Sequence, residues 1–409
     1  MNNNKPIWII NKKVYNLETF LNKHPGGDYI LRKNENRDCT ELFYSYHILS
    51  SKNIEEIMKK YYIREAEDTE ITSIFNWSNP VIFNDYKKKL QNHFKNKNYK
   101  ATNFTWFNYF VLFIANLICY YYWFNGYWLS LPFVSIFGLY LSGEILHSST
   151  HYAISKIPLV NDLISILGIY HSLPMHWMNQ HVIEHHINTN IIKKDPDYNH
   201  YKNISNLKLK WCAKYLLIKP LYNYFIPLMM TMTFYPNMLR SFIILTHKKN
   251  VKFLTNFEFI TYIIQLSFII IIPIYMIFNF GFFKGLCFTF IPRILYTLIF
   301  YFVSQVSHIT CDAFNYTQLK NNTNNEWIVH QITTSIEYNP KSKFINYLVT
   351  GLNNQITHHL CPNIHPIHYP EINYILVDIC NKYNIPYTCY DNYWTALIKH
   401  FQFIGIIRK

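Results

Sequence analysis

Three histidine clusters carry the residues most able to do chemistry. His147 and His151 stand four apart in the first. His181, His185 and His186 make up the second, in the run HVIEHH. His358 and His359 close the third, QITHH, which opens on Gln355. Imidazole is largely neutral at pH 7 and is a common ligand for iron, copper and zinc. Residues four apart on a helix share a face, so His147 with His151, and His181 with His185, can each aim two imidazoles at one ion. A lone buried histidine is usually a hydrogen-bonded core residue. Three clusters at ligand-like spacing beside long apolar stretches point instead to a metal centre at a membrane surface.

The apolar stretches must position these clusters. No charged residue occurs from Asn103 to Phe124 or from Tyr127 to Gly143, and Asn125-Gly126 between them is a turn signal. Two spans so joined return the chain to its starting side, where His147 follows. Residues 259–283 read as the strongest span. The next, about 285–306, contains Pro292 and Arg293, and if it crosses, the chain returns at His308 on the same side. His308 could then complete the metal shell. Glu144 ends the second run as either a carboxylate orienting a ligand histidine or a solvated interfacial acid. Residues 157–175 read as an interfacial amphipathic helix, and 211–235, broken by Lys214, Lys219, Pro220 and Pro227, as lying on the membrane. His171, His176, His365 and His368 are expected to be structural or supporting.

Residues 5–63 form a separate module centred on His24-Pro25-Gly26-Gly27, a tight turn where backbone can approach a ligand closely. Asp38-Cys39-Thr40-Glu41-Leu42-Phe43 starts a helix that leads to His47. Two imidazoles presented by separate turns can clamp a planar metal macrocycle from both sides. With these features the module resembles cytochrome b5, which implies haem b held by His24 and His47. Residues 64–100 are polar and charged and read as a linker followed by a juxtamembrane helix, suited to a swinging electron carrier.

Composition narrows the class. The chain has 409 residues, 50% apolar and 18% aromatic, with net charge +14. The charges form no compact basic groove, so nucleic acid is not an expected partner; they fit positive flanks beside membrane spans and anionic lipid. Eight cysteines without paired spacing fit reduced thiols. Met1 to Lys13 has no signal-peptide pattern, which keeps the module on the cytosolic side.

The clusters and their order resemble the membrane fatty-acid desaturases. The N-terminal module and Gln355 at the head of the third cluster make the front-end group the nearest likeness. Trp327-Ile328-Val329-His330-Gln331, Gly351-Leu352-Asn353-Asn354-Gln355 and His358-His359-Leu360-Cys361-Pro362 strengthen it. The resemblance implies a multi-domain chain: a small α+β haem domain (5–63), the linker (64–100), then an all-α membrane domain (101–409) with about four spans and a cytosolic cap. It implies a non-haem di-iron centre on His147, His151, His181, His185, His186, His358 and His359, with Gln355 where other desaturases have a further histidine. It also implies O2 as co-substrate, a fatty acyl-CoA or acyl-phospholipid substrate, and electrons from NADH through cytochrome b5 reductase at the endoplasmic reticulum. Ser148 replaces an Asp common in front-end enzymes, and three residues rather than two separate His181 from His185. Both departures bear on regioselectivity more than on reaction class.

Removing hydrogen from an unactivated methylene needs a stronger oxidant than any side chain, so a cofactor is expected to carry it. A fatty-acyl hydroxylase or a sphingolipid long-chain-base desaturase would use the same residues. A membrane haem electron carrier would explain the module but not the other histidines.

Overall fold

The computed structural model describes residues 5–50, 54–198, 255–313 and 325–407. The stretch expected to lie on the membrane over 211–235 falls outside them.

The N-terminal module is α+β. Strands β1 (Trp8–Ile10) and β2 (Lys13–Tyr15) form a hairpin whose two turn residues, Asn11 and Lys12, both have positive φ, at 48° and 64°. A two-residue turn of this kind matches the twist of the strands it joins, and Asn tolerates the conformation. β3 (Arg37–Asp38) pairs parallel to β1 and β4 (Tyr62–Glu65) antiparallel to β2, giving the order β3-β1-β2-β4. Trp8 is fully buried and donates its indole N–H to the Leu31 carbonyl at 2.8 Å.

Among the described residues, three helices are long and apolar enough to cross a membrane: Asn103–Phe124, Asn256–Phe280 and Phe282–Ser307. The first starts at a capping box between Thr102 and Thr105. Its outer face leaves Phe107 and Phe110 more than 60% exposed, and Ile274 and Phe278 do the same on Asn256–Phe280, as contact with lipid requires. The remaining expected span is helical too, but its winding changes. Helix Ser130–Gly138 runs directly into a π-helix, Leu139–Leu146, and then into His147–Thr150. The turns at Asn125-Gly126 and Gly281 meet at one end of the bundle, where Tyr275 donates its hydroxyl to the Phe124 carbonyl at 3.2 Å. Every histidine cluster lies at the other end.

Pro292 sits inside the last span and has no N–H to offer the carbonyl four residues earlier, that of Phe288. The indole N–H of Trp123, from the first span, donates to that carbonyl at 2.9 Å. Arg293 is buried beside it, with its guanidinium 4.6 Å from the centre of the Tyr170 ring. A break that weakens this segment as a span is therefore repaired across the bundle.

The cap forms over the histidine end. Helix Val81–Phe94 appears where a juxtamembrane helix was expected. It buries Phe83, Tyr86 and Leu90 against Trp327, Leu360, Ile372 and Leu376 from helices Trp327–Thr333, Gln355–Leu360 and Tyr369–Tyr383. Strands β5 (Glu337–Tyr338) and β6 (Cys389–Tyr390) pair in parallel at its edge. Where a swinging carrier was expected, the structure has the module packed against the membrane domain. Arg37 pairs with Glu184 at 2.9 Å, Asp38 accepts from the backbone N–H groups of Thr72 and Ser73, and the module's core continues into Tyr152, Met175, Met178 and Val182. Apolar surface on both partners explains this: a swinging carrier would have to expose it to water.

Candidate metal centre

The module presents His24 and His47 across from each other, with ring centres 6.2 Å apart and ring planes at 68°. Their Nδ1 atoms bond the carbonyls of Gly27 and Phe43, each at 2.7 Å. That fixes the N–H on Nδ1 and leaves both Nε2 lone pairs for a ligand. Two imidazoles on opposite sides of one iron, with bonds of about 2 Å, would place their centres roughly 6 Å apart. Gly26 lies under His24: a Cβ there would sit 3.0 Å from Cε1 of that ring. Burial lowers the pKa of His24 and brings that of His47 down to about 4, so both stay neutral, as ligation requires. The pocket fits a bis-histidine haem.

The three clusters converge on one buried point in two sets. In the first, His181 Nε2 lies 2.9 Å from His147 Nε2 and 3.1 Å from His186 Nε2, which is 3.1 Å from His358 Nε2. His151 joins this set, its ring centre 4.8 Å from those of His147 and His358. The second set joins His308 Nε2 to His185 Nε2 at 3.3 Å and to His359 Nε2 at 3.2 Å, with the Gln355 amide nitrogen 2.8 Å away. The sets touch where the rings of His186 and His359 stack 4.1 Å apart at 9°.

Local winding decides which histidine joins which set. Residues Met178–His185 form a π-helix. Its wider turn brings residues five apart near one face as well, so His186 reaches His181 Nε2 at 3.1 Å while the His185 ring stacks on that of His181 at 5.3 Å. The pairing of His181 with His185 expected from a four-residue offset is thereby corrected, and His185 turns to the other set.

Oxygen atoms behind the rings fix their orientation. His185 Nδ1 is 3.0 Å from Asp195, His359 Nδ1 3.0 Å from Thr189, His308 Nδ1 3.1 Å from Ser335, His358 Nδ1 3.1 Å from Tyr369, and His151 Nδ1 2.7 Å from Tyr46. The Thr189 hydroxyl has acceptors of its own in the His185 carbonyl and Gln331 Oε1, both at 3.1 Å, which leaves its oxygen free to accept from His359. A neutral imidazole has one N–H. With that N–H turned outward, lone pairs face one another inside, an arrangement that a cation between them makes favourable. Ligands bound to one ion at about 2.1 Å lie roughly 3 Å apart, as these nitrogens do. Burial and mutual repulsion push His151, His181, His186, His308, His358 and His359 well below the usual imidazole range. Burial acts the same way on His185, but Asp195 and Asp197 outweigh it and raise it to about 9. The carboxylates thus favour positive charge at this point, as a proton or as a metal ion.

Glu337 anchors the third cluster. It is fully buried and accepts from the N–H and hydroxyl of Thr357, at 3.0 and 2.9 Å, in the first turn of helix Gln355–Leu360. Asn373 and Tyr387 donate to its second oxygen. Glu144 fits neither of its expected roles. It is buried, and it accepts from Tyr109, whose hydroxyl also meets His365. His171 packs on Tyr296 and His368 bonds the Lys100 carbonyl, so these three histidines serve the scaffold. Asp195, Thr189, Ser335, Tyr369, Glu337 and Tyr46 escaped sequence reasoning. Only Asp195 carried a signal, as an acid ten residues after His185 in an Asp-Pro-Asp run.

Two family patterns cover most of the chain. That of the fatty acid desaturases matches residues 125–391, and that of the cytochrome b5-like heme/steroid binding domain matches residues 1–67. A probable Delta(5) fatty acid desaturase C of Dictyostelium discoideum is 28% identical over 425 residues, covering 97% of this chain and 91% of its own. Delta(5) fatty acid desaturase A of the same organism is 27% identical over 440 residues, covering 98% and 91%. An acyl-lipid (8-3)-desaturase of Physcomitrium patens is 25% identical over 422 residues, covering 96% and 86%.

Proposed function

Since the chain belongs to the fatty acid desaturase family and carries a cytochrome b5-like domain ahead of it, we propose that this integral membrane oxidoreductase inserts a cis double bond on the carboxyl side of an existing one in a polyunsaturated acyl chain. The observation that carries this reading is the convergence of eight imidazoles in two sets beneath the docked haem module. The relatives whose names specify Delta(5) or (8-3) desaturation support the front-end position.

In this reading His147, His151, His181, His186 and His358 hold one iron, and His185, His308 and His359 hold the other, with Gln355 beside His308. His24 and His47 hold haem b. Bound iron supplies the O2-dependent removal of two neighbouring hydrogens that no side chain can perform. The chain's own residues orient and shield. Asp195, Thr189, Ser335 and Tyr369 hold their histidines with Nε2 inward, and Glu337 pins the helix that carries His358 and His359. The domain division we propose is haem module 5–63, connecting segment 64–100 and membrane domain 101–409. Helix Ser130–Gly138 and its π-helical continuation serve as the fourth span. The histidine end faces the cytosol at the endoplasmic reticulum, where an NADH-dependent cytochrome b5 reductase supplies electrons and acyl-CoA or acyl-phospholipid supplies substrate.

The test is fatty-acid profiling of yeast expressing the chain and fed polyunsaturated acids, with His358→Ala as control. A new double bond on the carboxyl side, lost in the control while the haem spectrum persists, is expected. A hydroxylated acid, a desaturated long-chain base, or product surviving His358→Ala would overturn the assignment.

A further inference from the structure

The haem-type pocket and the imidazole cluster are linked through neighbouring residues. His47 forms one wall of the pocket, and Tyr46 precedes it at the end of helix Thr40–Tyr46. The Tyr46 side chain leaves the module and enters the membrane domain, where its hydroxyl lies 2.7 Å from Nδ1 of His151. The two rings are nearly parallel, at 17° with centres 6.4 Å apart. The peptide is held as well: the Tyr46 carbonyl accepts from the Asn363 side chain at 2.8 Å, four residues beyond His359. The Asn363 carbonyl in turn accepts from Lys100 Nζ at 2.9 Å, which also reaches the Tyr152 carbonyl beside His151 at 2.6 Å. Segments from the first and third clusters thus hold the phenol in place.

Resting on the assignment of iron to the imidazole cluster, we propose that Tyr46 is the electron bridge between the two centres. The route runs from the haem through its ligand His47, along the adjoining Tyr46 residue and across one hydrogen bond to His151. Each passage carries one electron: ferrous haem becomes ferric, and one ferric ion of the pair becomes ferrous. Two passages reduce both ions, and the haem is refilled each time by an external one-electron donor of the flavin-reductase class. The phenol keeps its proton throughout. It holds His151 with Nε2 toward the metal and supplies a polarisable ring between the domains. Arg37–Glu184 also joins the domains, next to His185, but Arg37 belongs to the sheet and not to the pocket wall.

The experiment uses the full chain in detergent, loaded with haem and iron, without oxygen. The haem is reduced by a light pulse, and its return to the ferric spectrum is followed with time. Tyr46→Phe keeps the ring and removes the hydrogen bond; Tyr46→Leu removes both. The expected result is a fast phase in the parent chain, slowed in Tyr46→Phe and lost in Tyr46→Leu. Iron per chain, measured for each sample, scales the amplitudes, so partial loss of metal does not masquerade as slow transfer. A chemical mediator that reduces the iron directly should act equally on all three. Equal rates in the parent and both variants would overturn the bridge. A parent chain that binds iron but shows no haem-to-iron transfer would also overturn it, whereas a parent chain that binds no iron would overturn the functional reading on which it rests.

Discussion

At the scale of single residues, the imidazoles supply the donors and the oxygens behind them supply the direction. Asp195 makes the point, because it bonds His185 directly and, with Asp197 behind it, counters the burial of that ring. Asp195→Asn should weaken iron binding about 10–100-fold, the usual cost of losing an oriented partner behind a ligand histidine. Anaerobic iron titration read by metal analysis checks this, and the haem spectrum should be unchanged. The seven clustered histidines were legible in the sequence because their spacing is itself a signal. Asp195 read as a loop residue, and Tyr46 was hidden among 35 tyrosines, since nothing local marks a side chain whose partner is 105 positions away.

At the scale of elements, the apolar runs were legible because a span is a matter of length and charge. Their winding was not. No hydrophobic period distinguishes the π-helix at Met178–His185 from an α-helix, yet it decides that His186, not His185, joins His181. The repair at Pro292 was equally silent, because it needs Trp123 from another span. Trp123→Phe should leave the Phe288 carbonyl buried and unpaired, at a cost of about 1–3 kcal/mol. Pro292→Ala restores the N–H that this carbonyl lacks, so in that background Trp123→Phe should cost distinctly less. Thermal unfolding of the four proteins of this cycle in detergent measures the difference, and equal costs would show that the indole does not repair the break.

At the scale of the whole molecule, buried histidines tie stability to pH. His330 and His400 lie outside the iron assignment, and burial carries each from an ordinary 6.5 down to about 4. Between those values the unfolded chain binds protons that the folded chain refuses, so stability falls as pH falls through the window. Each group contributes a slope of about 1.4 kcal/mol per pH unit there. His400→Gln should therefore flatten the dependence of the melting temperature on pH between 6.5 and 5 without removing it; an unchanged slope would show that His400 does not titrate in this range. The two domains were legible from their motifs, and the cap only through the family likeness those motifs carry. The docking was not, because it rests on apolar patches of Tyr152, Met175, Met178 and Val182 that look like ordinary membrane-domain core in sequence.

The haem module is both docked and covalently joined through the segment that leads from β4 to helix Val81–Phe94. A short tether holds its partner at an effective concentration in the millimolar range whatever the dilution. Damage to the docking face should therefore be largely concealed in steady-state turnover: Arg37→Glu, set against Glu184, would lower occupancy of the docked state while the module rebinds from a short distance. Inserting a protease site between Glu67 and Ser73 and cutting it would turn docking into an ordinary bimolecular equilibrium. The same substitution should then show a clear, dilution-dependent loss of haem-to-iron transfer that the intact chain hides.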